Sequence, residues 1–140
     1  MDSREELSFS ACVDNIESAY EYMLAYAAQG RDREPAGGGS GPSVRQFLEQ
    51  LRQAVSALAG AAQKTTAALP LSDEARTAVQ GFLLQLEQDA GKAGTVINMV
   101  LTAPTLSSQL VDNLNASAHL RCLLTGIFII DEVVQQHVRA

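Results

Sequence analysis

LRCLLTGIFIIDEVV, residues 120–134, is the most apolar stretch of this chain, and what it is for decides the fold. A membrane span needs roughly 20 consecutive apolar residues. Here Arg121 and the Asp131-Glu132 pair bracket too short a run for that. The alternatives are a core helix or a helix that meets a partner. Leu120, Leu124 and Phe128 carry apolar surface most of the way round. Cys122, Leu123, Ile127, Ile129, Ile130, Val133 and Val134 supply the rest, leaving Arg121, Thr125, Glu132 and Gln136 as a narrow polar edge. A helix apolar nearly all round is buried on most sides. The stretch therefore reads as the central helix of the domain, or as one packed both on its own bundle and on a partner.

Upstream, Leu106, Leu110, Val111, Leu114 and Ala118 form a narrower stripe whose side differs from the later one by about half a turn. The pattern predicts one last helix over 106–138 and permits a break between Asn113 and Ser117. Before it, Ala103-Pro104-Thr105 ends a third helix with Val79, Phe82, Leu83, Leu86, Ala90, Ala93, Ile97, Val100 and Leu101 on its core face. Ser72 caps that helix, with Asp73 and Glu74 in the first turn, where the helix dipole favours acids. Gly91 and Gly94 within it mark a close backbone approach or a bend. The second helix starts at Ser43 and carries Val44, Phe47, Leu48, Leu51, Ala54, Val55, Leu58, Ala61 and Ala62 on one stripe.

The first helix places Phe9, Cys12, Val13, Ile16, Ala19, Tyr20, Met23, Leu24 and Ala27 together, and ends at Gly30. Its Tyr20 and Tyr26 read as core residues with their hydroxyls at the rim. Between the first two helices, RDREPAGGGSGPS (31–43) is a flexible Gly/Pro-rich linker by composition. The expected fold is thus all-α: a single domain over 1–140, a mostly antiparallel four-helix bundle with a strongly apolar C-terminal helix.

Composition narrows the functions. The chain has 140 residues, 46% hydrophobic and 19% charged, with a formal net charge of −6. That balance disfavours nucleic acid and anionic membrane surfaces, which attract basic patches. The opening MDSREELSF lacks the basic and apolar regions of a signal peptide. Cys12 and Cys122 have no metal-binding or redox-motif spacing and read as reduced, buried thiols, a disulfide being the lesser alternative. A cytoplasmic protein is expected.

Chemistry-bearing residues are sparse. His119 and His137 lie about 27 Å apart on a continuous helix, too far to share a metal. No Glu-x-x-His pair occurs, so no metal ligands, cofactor-binding residues or catalytic residues are assigned and no cofactor is expected. The segment AHLRCLLTG (118–126) resembles, over a few residues, the phosphoacceptor segment of histidine phosphotransfer domains, which are four-helix bundles. His119 is followed by Leu120 and a basic Arg121, but Cys122 and Leu123 stand where that family has small residues. The resemblance implies a phosphotransfer-like alternative centred on His119. Asp14, Glu17 and Glu21 gather on the first helix, either as a solvated face or as an acidic patch for a basic partner.

The reading these residues favour is a non-enzymatic adaptor, assembly factor or regulatory subunit acting through an apolar helix surface, with a homodimer as the simplest assembly. Its candidate interface residues are Leu84, Met99, Leu120, Leu123, Ile127, Ile130 and Val134. The alternative is a bundle holding a small apolar ligand in a pocket between helices formed by Ala90, Ala93, Gly94 and Phe128.

Overall fold

A computed structural model describes residues 7–35 and 41–139. Among these residues there are no strands, and five helices form: α1 (Phe9–Ala27), α2 (Val44–Ala67), α3 (Asp73–Leu101), α4 (Ser108–Asn115) and α5 (Ala118–Arg139). The all-α expectation holds, whereas the single last helix is two. Residues 36–40 of the linker and the opening residues 1–6 lie outside the described residues.

Serine starts four of the helices. Ser8, Ser43, Ser72 and Ser107 sit in extended backbone, and each hydroxyl accepts from an amide three residues on, so each N-terminus gains a partner for an otherwise orphaned N–H. At α2 the exchange is reciprocal. The Gln46 amide donates to Ser43 Oγ, and the Ser43 amide donates to Gln46 Oε1. Beyond α1, Gly30 takes φ +69°, a left-handed turn that a side chain would strain. α3 runs unbroken through Gly91 and Gly94, and a Cβ added at either would meet nothing within 4 Å. Neither glycine marks a close approach, so their effect is to leave the flank of α3 bare. The close approach lies at Gly126 of α5, where a Cβ would come 3.4 Å from the Phe82 ring and 3.7 Å from Leu86.

The break after Asn115 follows from what each half packs on. α4 lies against α1, while α5 lies mainly against α3. Val111 and Leu114 point into the core from one side, and Leu120, Leu123 and Ile127 from another. One straight helix cannot turn both stripes inward. The chain tightens at Ala116–Ser117, where the Ser117 amide donates to Leu114 O, and restarts when the Arg121 amide donates to Ser117 O. The Asn115 side chain, buried at this break, donates to Met23 O and so fastens the end of α4 to α1.

The helices close around one core. α1 packs on α2 and α4, α2 on α3, and α3 on α5. Gly126 beside Phe82 and Cys122 beside Asp89 set α5 antiparallel to α3. Ile16, Met23, Leu48, Leu51, Leu58, Leu86, Ile97, Leu106 and Leu123 are fully buried. Each such side chain contributes about 1.5–3 kcal/mol against exposure.

A polar tie joins two connections that are remote in sequence. Arg45 donates to both oxygens of Glu34 and to the carbonyls of Leu101 and Ala103, where it satisfies the frayed end of α3. Glu34 also accepts from the Leu106 amide, and the Glu34 amide donates to Thr105 Oγ1. The Arg31 amide donates to Ser108 Oγ, and Ser108 returns its own amide to Arg31 O. Tyr26 OH, buried rather than at a rim, donates to Leu106 O at 2.5 Å. Residues 31–34 of the linker are therefore held against the α3–α4 turn.

Candidate interaction surface

The residues expected at an interface divide sharply. Leu120, Leu123, Ile127, Ile130 and Val134 are all buried within the chain's own core. Leu84 and Met99 are exposed, fifteen residues apart on the outer side of α3. The apolar surface that α5 does present is another set. Phe128 is 50% exposed, Ile129 54% and Val133 39%. Phe128 lies about 140° round the helix from Val133, whereas Ile129 and Val133, one turn apart, share a side of α5 away from Leu123 and Ile127. Cys122 shares that side and is exposed rather than buried, its thiol 3.7 Å from Asp89; Cys12 is fully buried, and both are free thiols.

The expected pocket comes together only in part. Ala90 and Gly94 line a trough of about 610 Å³ between α2 and α3, with Arg52, Gln53, Ser56, Glu87, Thr95 and Asn98 among its other walls. A smaller hollow of about 340 Å³ continues it past Gly60 to Leu84. Ala93 is buried beneath the trough, and Phe128 stands on α5 outside it. Its floor is small and its walls are polar, so it offers an apolar ligand little surface to displace water from.

An acidic seam runs along α1. On α1, Asp14, Glu17, Glu21 and Leu24 follow three- and four-residue steps and so share a face. On α5, Phe128 and Asp131 are likewise three apart. The Glu17 carboxyl is held above the usual carboxylate range by burial first, then by Asp14, Asp131 and Glu21. None of the four acids makes an ion pair or side-chain hydrogen bond with a described residue. Leu24, 47% exposed, extends the seam at the far end of α1. Of the neighbouring charges on α5, Glu132 is paired with Arg139 at 3.5 Å, and Arg121 lies two turns before Phe128, about 10 Å along the helix.

The sequence shows the three acids of α1 but not their fourth member. Asp131 of α5 adds to their charge at Glu17, a tertiary effect with no local signal. His119 is exposed near the start of α5, and His137 is half-buried near its end. Among the described residues, no group of three His, Cys, Asp or Glu side chains is arranged to hold a metal ion, and no helix is long and apolar enough to cross a membrane.

What fold and surface define together is an all-helical chain with exposed apolar residues on its last helix and an acidic face on its first. Comparison with protein families, characterised proteins and solved structures returns no match for it.

Proposed function

We propose that this chain is a helical interaction module that binds a protein partner through the outer face of α5. One observation carries the reading. Phe128, Ile129 and Val133 project from a helix whose opposite face is already committed to the core. Apolar residues scattered singly on a surface need no explanation, but Ile129 and Val133 stand together one turn apart, and Phe128 adds a large exposed ring on the neighbouring flank. The ring of Phe128 alone leaves about 100 Å² in water, half of the ~200 Å² typical of a Phe. At ~25 cal/mol per Å², covering it is worth about 2.5 kcal/mol, enough to make Phe128 an anchor residue. The rigid helix beneath it keeps the ordering cost of binding low.

Such a module serves as an adaptor, assembly factor or regulatory subunit without chemistry of its own. The test is an amide NMR titration, by dilution and with amphipathic helical peptides. Shifts gathered at Phe128, Ile129 and Val133 are the expected result. A chain that stays monomeric and whose α5 signals move with no peptide would refute the proposal.

A further inference from the structure

Independently of what covers its outer face, we infer that α5 can leave its own α3 and dock on the α3 of a second copy, as the break at Ala116–Ser117 straightens into one helix over residues 108–139. No proline or glycine enforces that break, and Ala116 keeps right-handed helical backbone, at φ −84° and ψ −6°. Ser117 is left as the residue that departs from the helix. The break is also poorly satisfied. The hydroxyls of Ser8, Ser43, Ser72 and Ser107 each accept from an amide three residues on, but Ser117 makes no such bond among the described residues. Beside it the buried Asn115 Oδ1 has no hydrogen-bond partner among the described residues. A continuous helix would give the amides of Ala118, His119 and Leu120 the carbonyls four residues back, Leu114 to Ala116.

The two sides of the break are held in different ways. α4 is pinned to α1 by directional bonds: Asn115 Nδ2 donates to Met23 O, and Ser108 Oγ to Tyr26 O. α5 lies mainly on α3 through Leu120, Leu123, Leu124, Ile127, Ile130 and Val134. Among the described residues its polar link to another helix is the Cys122 thiol, 3.7 Å from Asp89. An attachment of this kind is reproduced in full by the identical α3 of another copy, which offers the same Phe82 ring to the notch at Gly126. Straightening also turns α5 the right way. At 100° per residue, the buried stripe of α4 (Ser108, Val111, Leu114, Asn115) and that of α5 point about 130° apart on one helix. Because α4 fixes its own stripe on α1, the α5 stripe then faces away from α1. A two-fold pair restores every apolar contact, since each copy uncovers one α3 and supplies one α5. The closed chain meets its own α5 at high effective concentration, so the exchanged form gains only as the chain is concentrated.

Two substitutions separate the forms. Ala118 is exposed at the first position of α5, where proline is favoured, yet proline there bars Ser117 from helical backbone, so Ala118→Pro locks the break. Ser117→Ala replaces a residue suited to helix starts with the best helix former and favours the continuous helix. Each full-length protein is unfolded in denaturant, refolded at low and at high concentration, and sized by light scattering, with thermal melts to confirm folding. The expected result is a wild-type dimer after refolding at high concentration, favoured about tenfold more in Ser117→Ala and about tenfold less in Ala118→Pro. A mixed disulfide identifies the exchange. Asp89→Cys/Cys122→Ser carries a thiol on α3, and wild type carries its exposed thiol on α5. The two are refolded together at high concentration, separated by size under reducing conditions, and oxidised with diamide. A link between position 89 of one copy and Cys122 of the other is expected in the dimer fraction and not in the monomer fraction at equal concentration. If Ala118→Pro folds poorly, that link alone decides. A chain that stays monomeric after both refolding regimes, in wild type and Ser117→Ala alike, overturns the inference. So does a dimer without the mixed link, or one that a folded Ala118→Pro leaves intact, because two closed copies then lie side by side.

Discussion

Replacing Arg45 with Met tests whether the polar tie is a structural joint or surface decoration. Methionine keeps most of the aliphatic stem and its packing while deleting the guanidinium. Three interactions go with it: the pair with Glu34, at 2.7 Å, and the bonds to Leu101 O and Ala103 O, at 3.0 Å each. Because both side chains retain some exposure, the ion pair itself is worth about 0.5–1 kcal/mol. Each carbonyl loses a charged donor at the end of α3, about 1 kcal/mol apiece after solvent replaces part of it. The sum is about 2–3 kcal/mol. For a chain of this size that lowers Tm by roughly 6–12 °C. Urea unfolding followed by circular dichroism measures it directly, with Glu34→Gln and the double variant closing a cycle. Glu34 adds a pH signature. Its carboxyl is held below the usual carboxylate range, first by the hydrogen bond from Arg45 and also by the Leu106 amide, although burial opposes this. The unfolded chain therefore takes up a proton before the folded one, and wild type loses this stabilisation as pH falls below about 4.5 while Glu34→Gln does not. A loss under about 0.5 kcal/mol for Arg45→Met would refute the argument that residues 31–34 are anchored through this group.

Three further outcomes follow from the same geometry. Leu123→Ala should cost about 2–5 kcal/mol by leaving a cavity, whereas Ile129→Ala, outside the core, should cost under about 1 kcal/mol; similar losses in chemical denaturation would mean that the core face of α5 is misplaced. Gly91→Ala should raise stability by up to about 1 kcal/mol, since the helix gains propensity and the new methyl meets nothing; a lowered Tm would show that the flank of α3 is not bare. Glu17→Gln should stabilise the chain at neutral pH by a few tenths of a kcal/mol, because it removes one of four mutually repelling carboxylates. In wild type, the raised Glu17 carboxyl makes the folded state hold its proton longer, so stability falls as pH rises from about 4.5 through the raised value. The Gln variant should lack that decline in a pH series of melts.

Local signals announce helix starts more clearly than helix ends or neighbours. Ser43 and Ser72 are visible as caps because a short hydroxyl side chain before an apolar-periodic run has one obvious use. Gln46, three residues after Ser43, completes a reciprocal cap by the same logic. The division between α4 and α5 is fainter. No proline or glycine stands at Ala116–Ser117, and only the half-turn change of apolar side between Leu114 and Leu120 betrays it. Which side of α5 faces inward was beyond the pattern for a different reason. Leu123, Ile127 and Ile130 form one acceptable stripe, but Ile129 and Val133 lie close enough to it to be grouped with the same side, and periodicity cannot fix the edge of a stripe this broad. The Gly126 approach to Phe82 settles that orientation, and it is a contact across more than forty residues. The seam had the same fate: three acids legible on α1, the fourth supplied by a helix more than a hundred residues later.

The tie between the two turns also sets an order of events as the chain is made. Tyr26 and Leu106 are 80 residues apart, and Arg31 and Ser108 are 77 apart. At roughly 5–20 residues per second on the ribosome, Tyr26 waits about 4–16 s for the carbonyl its hydroxyl will meet. α1 and α2 can already pair in that interval. Emergence of residues 101–108 then supplies the Leu101 and Ala103 carbonyls and the Leu106 amide that complete the tie.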